Sequence, residues 1–428
     1  MPDSVVIYTV VHQPRRPRLP AAQLSWDMPA HEMAEAIFDG PLNRRYLQKV
    51  ARYCYYPAIG EFRRHLDAGL KLSIGFSFSF LRQAQMWEPR LLEDFRGLVA
   101  HPNVELIGVE PYHSFLFWLD IGCFRRRMAW MRDELEQLFG KRPTVTDTTE
   151  MILSPEIYCA LDSAGFRGVL TEGRSQLLEW RSPNYVYRAA ERRLLMLTRH
   201  HRLSDDVGYR FSDRSWDGYP LRASDYVRWI RDSDGDVAVI GWDFETFGEH
   251  HHIGSGIFEF LNWLPGELAY QGVQSLTAGE ALDRFGHRAH ALDLPVAPIT
   301  WAGQGTMAFF LGNPIQQRLF HLMRHAYNLC ALSDEPELLD IALWLAQSDN
   351  LHLLQWYEES GSEAEVSAYF TPDEWWGLGH ERLLRELVDV YSNVVNAISE
   401  RLARGPRPGA AAPWEVRRQV EHAPAAAR

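Results

Sequence analysis

Repeatedly before residue 296, an apolar run that reads as a strand breaks off into a polar cluster, and a helical stretch comes next. Val5–Val11 leads into His12-Gln13-Pro14, and Val104–Val109 into Glu110-Pro111-Tyr112-His113-Ser114. Pro143–Asp147 leads into Thr148-Thr149-Glu150, and Gly168–Leu170 into Thr171-Glu172-Gly173. Leu194–Leu197 is followed by Arg199–Asp206. Val237–Ile240 is followed by Gly241–His252, which reads GWDFETFGEHHH. The runs are rich in Val, Ile and Leu, as strands covered on both faces are. A strand, loop and helix unit repeated in this way predicts an α/β fold with parallel strands. About seven strands fit before residue 296. Acids and imidazoles after so many of them suit a barrel, in which all strand C-termini ring one mouth. An open sheet offers a single switch point instead.

The remaining segments fit this frame. Lys71–Phe80, KLSIGFSFSF, alternates Leu72, Ile74, Phe76, Phe78 and Phe80 with Ser73, Gly75, Ser77 and Ser79. It reads as one period-2 strand whose small face suits a tapering barrel interior. Ser154-Pro155 reads as an N-cap with proline at the first helical position. After Pro295–Pro298 the strands stop. Gln316–Leu332, Glu335–Gln347, Asp349–Glu359 and Trp375–Leu402 have helical spacing. The expected domains are a barrel over 1–295 and a helical domain over 296–403 that completes the mouth of the site. A tail rich in Pro, Ala and Arg over 404–428 is expected to be disordered.

Composition narrows the function classes. The formal net charge is −12, which disfavours sequence-independent nucleic-acid binding. No run approaches the ~18–20 apolar residues of a membrane span. Val5–Val11 lacks the basic flank and small-residue cleavage site of a signal peptide, so a cytoplasmic location is expected. Cys54, Cys123, Cys159 and Cys330 form no CxxC pair and read as reduced thiols. The 15 Trp residues include surfaces on which sugar rings can stack, although most are expected in the core.

Two carboxylates, Glu150 and Asp243, stand just beyond separate strands. A barrel brings strand ends together, and a pair of carboxyl groups at a common mouth is what glycoside hydrolysis requires. One attacks the anomeric carbon or holds water. The other protonates the leaving oxygen, which calls for a raised pKa. Glu245, two positions from Asp243, is a candidate source of the charge that raises it. Taken singly and from spacing alone, each acid fits a salt-bridged loop carboxylate better than a catalytic group. A metal site built from Asp243 with His113 or His12, as in polysaccharide deacetylases, is a competing arrangement. His250, His251 and His252 are consecutive and cannot converge on one ion from a regular element, and no metal ligand set is assigned. No Walker A, GxGxxG or GxSxG motif is present, and no cofactor is expected.

Several clusters together resemble glycoside hydrolase family 57, in particular its α-amylase-like branch, over roughly residues 5–385. His12-Gln13-Pro14, VELIGVEPYHS (Val104–Ser114), DTTE with MILSPEI (Asp147–Ile157) and DFETFGEH (Asp243–His250) are similar to the family's successive motifs. Trp301, Leu311-Gly312-Asn313 and Gln347-Ser348-Asp349 fall where its helical region lies, and LSDDVGYRFS (Leu203–Ser212) resembles a segment of the branch. The chain departs from the pattern at Pro111, at His200 and at Asn350, where a histidine is expected. The resemblance implies an incomplete TIM-like (β/α)7 barrel with a helical C-terminal domain. It implies retaining hydrolysis of α-1,4-glucans or maltooligosaccharides, with Glu150 as nucleophile and Asp243 as acid/base. Substrate contacts are expected from His12, Glu110, His113, Trp242, Glu245, Trp301 and Asp349, with Trp242 and Trp301 as stacking surfaces. A 4-α-glucanotransferase using the same pair is the alternative within the class. A non-catalytic glucan-binding protein is the alternative outside it.

Overall fold

In the computed structural model, residues 2–405 are described, and they fall into two compact units. The expected disordered stretch 404–428 lies outside them except at its start, where Arg404 ends a helix. The first unit holds Pro41–Phe310 with the N-terminal strand, and the chain returns to it for Gln347–Asp349. The second holds Arg15–Gly40, Leu311–Ala346 and the chain from Asn350 onward.

The first unit is a ring of parallel strands. They are β1 (Ser4–Val11), β2 (Leu72–Phe76), β3 (Val104–Ile107), β4 (Val145–Thr146) and β5 (Gly168–Glu172). After the short antiparallel β6 (Val186–Arg188) come β7 (Leu195–Arg199) and β8 (Val237–Asp243). β1 pairs with β2 on one side and β8 on the other, β2 with β3, β4 with β5, and β5 with β7. Two narrow seams close the circle. Gly108 bridges to Thr146 between β3 and β4, and Arg199 pairs with Val239 between β7 and β8. Counting around the ring gives a (β/α)7 barrel, as expected.

Alternation along the strands sorts the core. Val6, Tyr8 and Val10 pack inside the ring with Val109, Val145, Leu170, Leu197 and Val239. Val5, Ile7 and Val11 face outward with Ala238, Ile240 and Trp242 into the cluster shared with the surrounding helices. The small face of β2 points inward. A Cβ on Gly75 would lie 2.4 Å from Val109 Cγ2 and 3.1 Å from the Tyr8 hydroxyl. The strand is shorter than expected, because Ser77 leaves the ladder and caps a helix, Phe78–Trp87, accepting from Phe80 N at 3.2 Å. Phe78 and Phe80 therefore belong to that helix, where a local cap outweighs the alternation.

The helix Ala278–Phe285 closes the end of the ring where the strands begin. Ala278, Ala281, Leu282 and Phe285 belong to the interior cluster. Its first turn is tied to strand starts, with Ala278 N donating to Ser73 Oγ and Gly279 N to Glu105. The second unit is built on the helices Pro314–Leu332, Pro336–Leu345 and His380–Arg404. Asn313 and Gln316 form a capping box at the first of these, and Arg401 binds Glu335. Among the described residues, no helix is long and apolar enough to cross a membrane.

Leu282 is buried, and a Cβ on Gly168 would meet it at 2.3 Å, so the plug is tightly seated. Leu282→Ala is expected to lower the unfolding free energy by about 2–5 kcal/mol. Urea denaturation measures this, and a change within error would show that the plug is not part of the cooperative core.

Candidate active site

Beyond β4 the backbone turns sharply. Glu150 has φ 54° and ψ 29°, and Met151 has φ 51°. A left-handed conformation in a residue with a side chain costs on the order of 1–3 kcal/mol and persists only where the surroundings fix it. Here they do. Thr300 Oγ1 and Trp301 N donate to the Glu150 carbonyl at 2.8 and 3.2 Å. The Glu150 carboxylate then takes three further donors. Trp301 Nε1 donates to Oε2 at 2.6 Å, while His113 Nε2 at 3.2 Å and Ser348 Oγ at 3.3 Å reach Oε1.

His113 is also left-handed, at φ 54°. Glu110, just beyond β3, holds the turn that presents it, accepting from Ser114 N at 2.6 Å, Tyr112 N at 3.0 Å and Ser114 Oγ at 3.1 Å. Ser348 N donates to the His113 carbonyl at 2.9 Å, which seats Gln347–Asp349 beside the ring. The His113 ring stacks on His12, with centroids 4.2 Å apart. Burial works against charge on both imidazoles. Glu150, Asp349 and Glu110 overcome it at His113 and raise its pKa to about 9. At His12 burial prevails over Asp349 and lowers the pKa. The surrounding acids thus favour the imidazolium at His113, while burial favours the neutral ring at His12. His12 is oriented by Ser77 at 2.8 Å and Asp349 at 3.0 Å.

Asp243 ends β8, with Val10 as its register partner on β1. It is partly exposed, and it faces the same interior as Val10. Burial, then the negative charge of Glu150, pushes its pKa up to about 7, against His113 and Arg199. Glu245 is buried and hydrogen-bonded to the Tyr55 hydroxyl and to His12 N. Burial, then Asp243, raises Glu245 to about 8. Tyr55 comes from a single π-helical turn, Ala51–Tyr55. Such turns often occur at functional sites. On the other flank Arg199 joins Glu172 at 2.8 Å, Asp205 at 2.6 Å and the Gly241 carbonyl at 3.0 Å. Its guanidinium lies 5.4 Å from the centre of the Trp301 ring.

Glu150, Asp243, His12, His113, Trp301 and Asp349 thus come together around one mouth. Trp301 directs its N–H at Glu150 as well as offering a partly exposed ring. Others are displaced from the roles expected of them. Trp242 is 2% exposed, lies in the outer core and donates to the Ser204 carbonyl at 3.0 Å. It neighbours Asp243 on a strand, so when Asp243 points in, Trp242 must point out, and a covered indole cannot stack on a sugar. Glu110 is fully buried, with its oxygens committed to the 112–114 turn, and Glu245 is committed to Tyr55 and His12. Both support residues that face the mouth rather than facing it themselves. Glu249 pairs with Lys49 at 2.6 Å, and His251 contacts Ser212 at 2.7 Å. Thr300 and Tyr55 were not foreseen as parts of the site, and Ser348 and Arg199 were marked only as members of their clusters, without a role.

A family model described as Glycosyl hydrolase family 57 matches residues 6–295. A protein of Methanocaldococcus jannaschii, provisionally named an alpha-amylase, is 33% identical over 354 residues, covering 80% of this chain and 74% of that protein. The solved structure of a GH57 branching enzyme from Thermococcus kodakaraensis aligns with a TM-score of 0.62 at 14% identity, over 98% of this chain and 94% of that one. A 4-alpha-glucanotransferase from Thermococcus litoralis aligns at 0.60 with 15% identity, over 91% of this chain but only 60% of its own. Such low identities speak for the shared fold alone.

Asp147 lies beneath the mouth, wholly buried, accepting from the Tyr8 hydroxyl at 2.8 Å and Thr148 N at 2.6 Å. Burial raises its pKa to about 7, so the fold favours its protonated form. Its contribution to stability is full below the ordinary carboxyl range near pH ~4 and is lost as pH rises through about 7. Asp147→Asn, which keeps an acceptor for Tyr8 and cannot ionise, is expected to flatten the decline of Tm over that window. Thermal unfolding from pH 4 to 8 tests this, and an unchanged pH dependence would show that Asp147 does not titrate with folding.

Proposed function

The chain belongs to glycosyl hydrolase family 57, and we propose that it is a retaining enzyme that hydrolyses α-1,4-glucans or maltooligosaccharides, with Glu150 as nucleophile and Asp243 as acid/base. The observation that carries the assignment is the asymmetry of the two carboxyl groups. Glu150 is held by three donors, one of them a charged imidazole, whereas Asp243 is pushed up to about 7. One is suited to attack and the other to arrive protonated.

In the first step Asp243 gives its proton to the glycosidic oxygen as Glu150 attacks the anomeric carbon. The C–O bond to the leaving sugar breaks and a glycosyl ester forms on Glu150. That ester has no negative charge. Burial still raises Asp243, but the part of the rise that came from Glu150 is removed, so Asp243 becomes a stronger acid, readier to serve as the base that draws a proton from water. Water then attacks the anomeric carbon, and the Glu150 carboxylate leaves. His113, which loses its ionic partner in the ester, is freed to bond the sugar. His12, Asp349 and Trp301 are assigned to sugar contacts beside the cleaved bond. The names of the comparison proteins, alpha-amylase, branching enzyme and glucanotransferase, support α-glucan as the substrate class.

Transfer to a sugar hydroxyl differs only in what resolves the ester, so product analysis separates the two. Hydrolysis of maltotriose is expected to give glucose and maltose, and longer products would assign the transferase reaction. Glu150→Gln and Asp243→Asn are each expected to lower kcat at least ~10²-fold, the scale of a lost acid, base or nucleophile. Turnover of a maltooligosaccharide ladder by either variant at the wild-type rate would refute the assignment. kcat/KM is expected to fall above pH about 7, as Asp243 loses its proton. In Glu150→Gln, carbon NMR of labelled aspartate is expected to show Asp243 titrating at lower pH than in the wild type.

A further inference from the structure

A cavity of about 410 Å³ lies on the outer wall of the barrel unit. That volume falls in the ~300–1,000 Å³ range of small-molecule pockets. One wall is the helix Ile257–Tyr270, which contributes Glu259, Trp263 and Glu267. They are spaced four apart, so they share one face of the helix, with an indole between two carboxylates. The other wall is the segment Tyr219–Ser224, with Phe211 and Phe260 among the residues at the base. Trp263 is 60% exposed and Tyr219 is 38% exposed. Two open rings on the walls of one cavity put aromatic surface where a ligand can reach it.

The walls are held in place. The Gln271 amide donates to the Ser224 carbonyl at 2.9 Å and to Glu267 at 3.3 Å, linking the two sides. Among the described residues, Arg222 and Glu259 have no ion-pair partner, although both line the cavity. The arrangement therefore offers a flat aromatic face, acceptors on either side of it, and a guanidinium donor. A pyranose has the complementary surface, with apolar C–H faces and a rim of hydroxyl groups. Two carboxylates beside the ring disfavour an anionic partner such as nucleic acid or an acidic lipid surface.

We propose that this cavity is a second, non-catalytic binding site for a segment of α-glucan chain, centred on stacking against Trp263. The identity of the sugar rests on the substrate class proposed above, whereas the site itself is separate from the barrel mouth. Its residues come from the outer helix and the 219–224 segment, and none is a mouth residue. A chain held there would keep a polymeric substrate on the enzyme between turnovers, which is the effective-concentration gain of a second attachment point.

The test is native electrophoresis of the full chain in gels with and without glycogen, together with turnover of maltotriose, which is too short to benefit from a second attachment. Trp263→Ala is expected to bind glycogen roughly tenfold more weakly, the scale of a lost aromatic stack and its buried area. Trp263→Phe is expected to recover most of the retardation. Both variants should keep the wild-type kcat/KM on maltotriose. A wild type that turns over maltotriose but is retarded by glycogen no more than Trp263→Ala overturns the second site and leaves the substrate assignment standing. A wild type that neither turns over maltooligosaccharides nor is retarded by glycogen overturns both.

Discussion

The negative charge of Glu150 organises the mouth of the barrel. It adds to the rise that burial gives Asp243, and with Asp349 and Glu110 it raises His113 against burial. It also accounts for the number of donors aimed at one side chain, from Trp301, His113 and Ser348. The same residue is held in an unfavourable backbone conformation that fixes the direction of its side chain. Strain and hydrogen bonding act together here. The backbone bonds from Thr300 and Trp301 hold the turn, and the indole of the same Trp301 holds the carboxylate.

A second layer supports the first without reaching the mouth. Glu110 shapes the turn that carries His113, Glu245 and Tyr55 brace the chain after Asp243, and Glu172 with Asp205 fixes Arg199. Arg199 has two tasks, since its backbone also makes the register pair with Val239 that joins β7 to β8. The seam that completes the ring and the charge that lies over Trp301 belong to one residue.

Much of this was legible in the sequence, and the limits have physical causes. Parallel strands covered on both faces leave continuous apolar runs, and barrel geometry gathers the loops beyond their C-termini at one mouth, so His12, His113, Glu150 and Asp243 stood out. The resemblance to a family supplied the order of the motifs and the division of labour proposed for the two acids. Trp242 was misplaced because the two-residue alternation was not carried through to the last residues of β8. Phe78 and Phe80 continued the alternation of β2 by coincidence, and the signal that ends that strand was Ser77, a cap rather than a pattern. Thr300 and Tyr55 gave no signal, and Ser348 was marked only through the family-like stretch Gln347-Ser348-Asp349. Each is a single residue brought back by a long connection or a π turn, and no periodicity marks such a return.

The helix Ala278–Phe285 makes the barrel a flask rather than a pipe. One end is stoppered with alanine, leucine and phenylalanine, so whatever reaches the carboxylates enters and leaves by the same neck. The stopper also separates two kinds of inheritance. Changes at the base alter how firmly the vessel holds together, while changes at the rim alter what it admits. A fold divided in this way can exchange its neck for another chemistry without rebuilding its floor.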